Sequence, residues 1–339
     1  MPTKTSSSSS DARARRARGL TSWAIITATA LALGATACGS SGGDGPCLPE
    51  APPELDGFAD DVLRVAQVQL ETRRVYDADG KLTETALVAF TSLDLSTGAT
   101  SSRLPAPCCG VASCFLLTGE PTPRCPADSG GPCGNATCQA DREVCVAGAC
   151  VPCQSTPLPV EAVTLDGLAA GALQLSALDA TQARWGKTDA SPPLFGAGPL
   201  TVQMTGASAT DALPSYTQSI EPPAPLTLLQ PDPAASVALG DTDLPLRWTP
   251  GNGDWVEARL RGATSASRDA VVCIGRDDGC LTIPVGAIET ISLNLQPSDK
   301  LKLSLRRVRS RTTALTTAQG SPAATQLRAT TMIELQLAQ

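Results

Sequence analysis

The sequence predicts a mainly β protein: antiparallel, immunoglobulin-like β-sandwich domains with a disulfide-rich insertion. Three observations carry that expectation. Apolar and polar residues alternate with period two in short runs along most of the chain. Turn signals such as Asp79-Gly80, Gly251-Asn252-Gly253 and Asp278-Gly279 separate those runs. Nine of the 13 cysteines crowd between Pro107 and Cys153. Short strands with one wet face each bury the other face against a second sheet.

Taken in order, residues 1–37 read as a secretory leader. Arg13, Arg15, Arg16 and Arg18 precede the apolar run "LTSWAIITATALALGATA". That run is too rich in small residues for a membrane span, which needs ~20 strongly apolar positions. Ala35-Thr36-Ala37-Cys38 fits both small-residue cleavage and a bacterial lipobox, in which Cys38 becomes the lipidated first residue. The glycine- and serine-rich stretch after it predicts a flexible tether over 38–56, reaching about 25 Å from a membrane. Gly39 after the cysteine points to the outer membrane, and the general export route is expected despite the Arg15-Arg16 pair. Giving Cys38 to a lipid leaves an even number of cysteines, which an oxidising compartment can pair completely.

The mature part divides into an N-terminal β-domain, 57–226, carrying the Cys-rich insertion 106–154, and a C-terminal β-sandwich, 227–339. Ala66, Val68 and Leu70 face one way in "AQVQLE", as do Leu200, Val202 and Met204 in "LTVQMT". In the C-terminal part the inward sets are Leu244, Leu246 and Trp248; Val256, Ala258 and Leu260; Leu301, Leu303 and Leu305; and Ile333, Leu335 and Leu337. Proline pairs at 192–193 and 222–223 exclude helix, and one short helix is expected near 57–66. "EVCVAGACV" predicts a small hairpin turning at Ala147-Gly148. Two β-branched runs in "VVCIGRDDGCLTIP" flank an Asp- and Gly-rich turn, predicting a hairpin closed by a Cys273–Cys280 disulfide.

Several chemistries meet an obstacle in the composition. "CPADSGGPCGN" looks like the nucleophile loop of chymotrypsin-like proteases, but the chain holds no histidine, so Ser129 has no imidazole to activate it. The stretch reads instead as turn chemistry between cysteines. The same lack of histidine excludes His-containing zinc sites. A single C-x₂-C, Cys150 and Cys153, reads as part of a disulfide module rather than a metal knuckle. Loss of the leader removes five basic residues and one acidic, leaving a net charge of −11, the wrong sign for a nucleic-acid partner. The nine remaining aromatics are scattered rather than clustered for stacking. "DADG" at 77–80 and Asp277-Asp278 read as turns rather than calcium loops. Arg306, Arg307, Arg309 and Arg311 in "RRVRSR" read as the solvated face of a strand, its charges paired locally, in preference to an anion-binding patch.

"PLFGAGPLTVQMTG", "LPSYTQSIEPPAPLTL", "LPLRWTPGNGDWVEARL" and "VVCIGRDDGCLTIPVGAI" together resemble a group of uncharacterised myxobacterial surface lipoproteins with β-sandwich domains. The resemblance spans most of 155–339 and implies export and a sandwich fold; it brings no catalytic residue. The expectation is a non-enzymatic, lipid-anchored protein of the cell envelope, at the outer membrane, with a binding or structural role. Its partners would be the membrane, through the N-terminal lipid, and an envelope protein or glycan; no cofactor and no metal are expected. The alternatives are a secreted hydrolase-like protein working through acidic residues, or an inhibitor presented by the Cys-rich insertion around Ser129.

Overall fold

The computed structural model describes residues 47, 53, 55, 62, 64–77, 79–95, 107–117, 131–139, 143–146, 148–152, 156–175, 177–179, 184–185, 190–208, 212–233, 237–238, 242–263, 269–293 and 300–338. Cys38 and Ser129 lie outside them.

The protein is mainly β. Strands β1 (Arg64–Tyr76) and β2 (Leu82–Asp94) form a long hairpin, followed by β3 (Cys114–Leu117). The insertion contributes β4 (Gly131–Cys133), β5 (Ala136–Cys138), β6 (Glu143–Val146) and β7 (Ala149–Pro152). Next come β8 (Thr156–Pro157), β9 (Val160–Asp166), β10 (Leu173–Gln174), β11 (Ala177–Asp179), β12 (Arg184–Trp185), β13 (Leu200–Gly206) and β14 (Tyr216–Ile220). The last third holds β15 (Leu228–Gln230), β16 (Val237–Ala238), β17 (Leu244–Trp248), β18 (Trp255–Gly262), β19 (Ala270–Gly275) and β20 (Cys280–Ile283). A helix α1 (Val285–Ser292) and two long strands, β21 (Leu301–Thr316) and β22 (Pro322–Ala338), complete the chain.

One sheet organises the molecule, in the order β11-β12-β2-β1-β22-β21-β18-β19-β3, with β16 also on β22 and β8 also on β2. Its neighbours are antiparallel except β1 on β22 and β16 on β22, which run parallel. The antiparallel expectation therefore holds for most of the sheet and fails at its centre, where the N-terminal hairpin docks on the last strand.

Two smaller sheets cover one face of this sheet, giving a sandwich-like build. The sheet β10-β9-β13-β14 closes a first core with Val68, Leu70, Val88 and Phe90 below and Val163, Leu165, Val202 and Met204 above. The sheet β15-β17-β20, with α1, closes a second core over Ala258, Leu260, Leu303, Leu305, Leu335 and Leu337. Both cores use odd-numbered residues of β22, Leu327 and Ala329 in the first and Ile333, Leu335 and Leu337 in the second, so both lie on the same face. Each inward set expected from alternation is buried where it was expected.

The expected boundary at 226 does not divide the sheet, because β1 and β2 pair into the same layer as β18, β19, β21 and β22. The insertion is not a side module throughout either: its β3 forms the far edge of the main sheet, beside β19.

The Cys273–Cys280 hairpin is corrected. Cys273 bonds to Cys114 and Cys280 bonds to Cys47, with Cα separations of 4.0 and 5.6 Å. The reason is that β19 and β20 belong to different sheets, and the turn between them carries the chain from one layer to the other. The Cys47 bond also shortens the expected tether, since the chain is fastened at 47 rather than free to 56, and Leu55 packs on an apolar patch with Phe115 and Trp255. The short helix expected near 57–66 is overturned where it is described: β1 begins at Arg64. The helix that forms instead follows Pro284 and buries Ala287, Ile288 and Ile291.

Two expected turns stand. Asp77 Oδ1 accepts the amides of Asp79 and Lys81 at 3.0 and 2.8 Å, closing the β1–β2 hairpin. In the insertion, β6 and β7 pair with Cys145 opposite Cys150. Disulfides Cys133–Cys145 and Cys138–Cys150 then tie this hairpin to the β4–β5 hairpin. The hairpins touch so closely that a β-carbon on Gly134 would lie 2.8 Å from the Gly148 carbonyl oxygen.

Candidate functional site

Between the two cores runs a polar seam. Register places Thr72 of β1 beside Thr331 of β22, and Thr331 beside Arg307 of β21. The segment Pro222–Leu226, which leads from the first covering sheet to the second, crosses above this row. Arg307 is completely buried there. Its Nε donates to Asp277 Oδ2 at 2.7 Å and Nη2 to Asp277 Oδ1 at 3.0 Å. Nη1 donates to the carbonyls of Ala224 and Pro225 at 3.1 and 2.8 Å, and Nη2 also to that of Thr249. All five N–H donors of the guanidinium are thereby used.

The seam is reinforced from both sides. Trp248 Nε1 and the Gly253 amide donate to Asp277 at 2.9 and 2.7 Å. Asn252 accepts the Ala224 amide at 2.7 Å and donates to the Pro222 carbonyl at 3.0 Å. Gly251 lies against the guanidinium, and a β-carbon there would overlap it. Thus "GNG", read as a turn, is also a clamp on the proline-rich crossover, and Asp277 pairs with an arginine.

Beside the seam the same crossover walls a cleft of about 360 Å³. Pro222, Pro223, Pro225 and Leu226 form one side, and Pro192, Pro193, Leu194 and Phe195 the other. The Pro192–Pro193 peptide bond is cis. Thr72, Thr331 and Met332 contribute to its lining, and Arg73, Arg74 and Glu84 bring charge to it. A preformed, mostly apolar hollow with a few convergent polar groups has the character of a ligand site. A second cleft of about 490 Å³ shares Arg73, Glu84, Thr85 and Pro192 and adds Glu71. Both carboxylates are already engaged: Arg74 meets Glu84 at 3.0 Å, while Arg73 and Arg306 meet Glu71 at 3.4 and 3.9 Å.

The four arginines of "RRVRSR" do not share a face. Arg306 points to the opposite side of the sheet, into an ion-pair lattice with Glu71 and Glu257. Arg328 joins that lattice through Glu257 at 3.4 Å and stands over the Trp255 ring at 5.7 Å. Burial pulls the Arg328 guanidinium below the usual arginine value, and Glu257 opposes the shift. Arg309 pairs with Asp254, and Arg311 reaches the Ser219 carbonyl at 3.4 Å. Local pairing was the expectation; the full burial of Arg307 was not.

Among the described residues, the sulfurs of Cys133, Cys138 and Cys150 gather within 4.8 Å of one another. Each is in a disulfide, and oxidised sulfurs are not the thiolates a metal requires. No sequence signal marked the cleft, because its walls come from prolines read only as helix breakers.

No protein-family model matches the chain, and no curated protein sequence matches it. Fold and geometry therefore define the class by themselves: a mainly β, multiply disulfide-linked protein with a proline-walled cleft at the joint of two cores. The disulfides fit an oxidising, extracytoplasmic compartment. No described helix is long and apolar enough to cross a membrane.

Proposed function

We propose that this is a lipid-anchored protein of the outer membrane, held by Cys38, that binds an envelope protein or glycan without catalysing a reaction. The observation that carries the reading is the set of disulfides, above all Cys47–Cys280. It fastens the chain nine residues after Cys38, which would hold the body within roughly 30 Å of its anchor even at full extension. A short leash suits a protein that works at the membrane surface. The proline-walled cleft is the proposed binding site. Its apolar walls favour an extended protein segment over a sugar, for which stacking aromatics would be wanted.

In the two clefts described, the carboxylates a hydrolase could use are Glu71 and Glu84, and both are held by arginines. The inhibitor alternative rests on the loop around Ser129, outside the described residues. The test is metabolic labelling with a fatty-acid analogue, combined with crosslinking in whole cells and recovery of the partner. Wild type should be labelled and Cys38→Ala should not, and a crosslinker placed at Phe195 should capture the partner. Labelling that persists in Cys38→Ala, or a mature protein recovered free of membranes, overturns the anchor. Hydrolysis of a peptide or glycan panel by the purified protein overturns the non-enzymatic reading.

A further inference from the structure

Pro107-Cys108-Cys109-Gly110-Val111 makes a tight turn on the approach to β3. The Val111 amide donates to the Cys108 carbonyl at 3.2 Å, and the central residues Cys109 and Gly110 have φ of 61° and 75°. Two consecutive positive φ values closed by that bond make a type I′ turn, whose first central position ordinarily takes Asn, Asp or Gly. Among the described residues Cys109 is the one non-glycine with positive φ. An L-residue there is unfavourable unless its surroundings hold it.

The side chain supplies the holding interaction. Cys109 Sγ lies 2.6 Å from Cys108 Sγ. Unbonded heavy atoms rest at roughly 3.5–4.0 Å, whereas a disulfide spans about 2.05 Å. The separation is nearer to a bond than to a contact. The turn is also fixed from outside. The Cys108 amide donates to the Cys114 carbonyl at 2.7 Å, and Cys114 is bonded to Cys273 in the second core. Counting agrees: eight cysteines are paired elsewhere among the described residues, and Cys108 and Cys109 are the two described there without such a bond.

We propose that Cys108 and Cys109 close a vicinal disulfide across this turn, forming a reducible two-electron site at the edge of the main sheet. The co-reactant is a disulfide donor, either a small disulfide or a protein dithiol oxidase. The first thiol attacks a donor sulfur, giving a mixed disulfide and releasing one donor thiol. The second thiol attacks the first, forming the vicinal bond and releasing the other donor thiol. Two electrons and two protons thus pass from the cysteine pair to the donor's sulfurs. Burial, and then the adjacent Cys109 sulfur, push the Cys108 thiol up to about 12. The ring is small, must contain a planar peptide and is partly exposed, all features of a labile disulfide. Cys114–Cys273, by contrast, is fully buried. The proposal does not depend on the lipid anchor or the cleft.

The test is maleimide trapping and peptide mapping of the mature protein. Trypsin should release 104–124 bridged to 269–276 through Cys114–Cys273. Without reduction, that species should carry no maleimide and be two hydrogens lighter than its dithiol form. After mild reductant on the folded protein it should carry two maleimides, on Cys108 and Cys109, with Cys114–Cys273 still closed. In Cys108→Ser or Cys109→Ser, the remaining cysteine should label without reduction. Two labels on unreduced wild type, or a bridge from either cysteine to a third peptide, would overturn the vicinal bond. Opening of Cys114–Cys273 before or together with the pair would overturn the reducible site.

Discussion

The two cores on the covered face are fastened differently. The first is assembled largely from strands near one another in the chain, β1 with β2 and β9 with β13 and β14, and no disulfide among the described residues enters it. The second recruits Cys47 and β3 from the N-terminal third onto strands that follow residue 244, and there both long-range disulfides sit, closing 233 and 159 residues. Joining distant segments costs loop-closure entropy, and a cross-link removes that cost from the unfolded chain. Covalent bonds stand where local contacts are scarcest. Between the cores the joint is polar, built on one arginine.

The largest effect should come from cutting a disulfide that fastens the second core. Replacing Cys114 and Cys273 with Ala opens a 159-residue closure, for which chain entropy sets a ceiling of about 5 kcal/mol. The same treatment of Cys133 and Cys145, only 12 residues apart, should cost about 3 kcal/mol. Urea midpoints of the two double variants measure the difference. Equal shifts would remove the distinction between a core-fastening bond and an insertion staple.

Next comes the joint. Arg307→Met should cost about 3–5 kcal/mol, because it leaves the Asp277 carboxylate, 3% exposed, without its cation. Adding Asp277→Asn should recover part of that loss, which a double-mutant cycle reads directly. A single-variant cost below about 1 kcal/mol would mean that the crossover prolines, not the arginine, hold the halves together.

Alternation made the strands of both cores legible, since side chains on successive residues face opposite ways whatever the partner. It failed at the seam. On β21 and β22 the inward row passes from leucines to Arg307 and Thr331, so only the ends of these 16- and 17-residue strands read as strand. Disulfide partners were illegible because proximity in sequence suggested 273 with 280, whereas sheet membership separated them. Helix α1 left a signal, Ala287, Ile288 and Ile291 at helical spacing after Pro284, that the neighbouring β-branched run obscured. The cleft left none, since its walls come from 192–195 and 222–226 and meet only when both pack over one seam.

A smaller effect asks whether the cores unfold as one. Leu70→Ala in the first and Leu303→Ala in the second each empty a fully buried site and should cost about 3 kcal/mol. Strands β21 and β22 run along the sheet beside both cores, so either variant should keep one transition. Trp248 and Trp255 fluorescence should then coincide with far-UV circular dichroism. Separated transitions would restore the two independent domains that the sequence suggested.

The smallest effect lies at the cleft, where stability and binding can be told apart. Arg74 and Glu84 meet at 3.0 Å, but they are 35% and 46% exposed, so water and salt weaken the pair. Removing it through Arg74→Ala should change stability by less than about 1 kcal/mol, and less still in high salt. Both residues nevertheless line the proline-walled hollow, close to where a ligand's polar groups would be oriented. Arg74→Ala should therefore leave the urea midpoint nearly in place while weakening capture of the proposed partner by a crosslinker at Phe195. A large stability loss would make the pair part of the seam, and unchanged capture would move the binding surface away from this cleft.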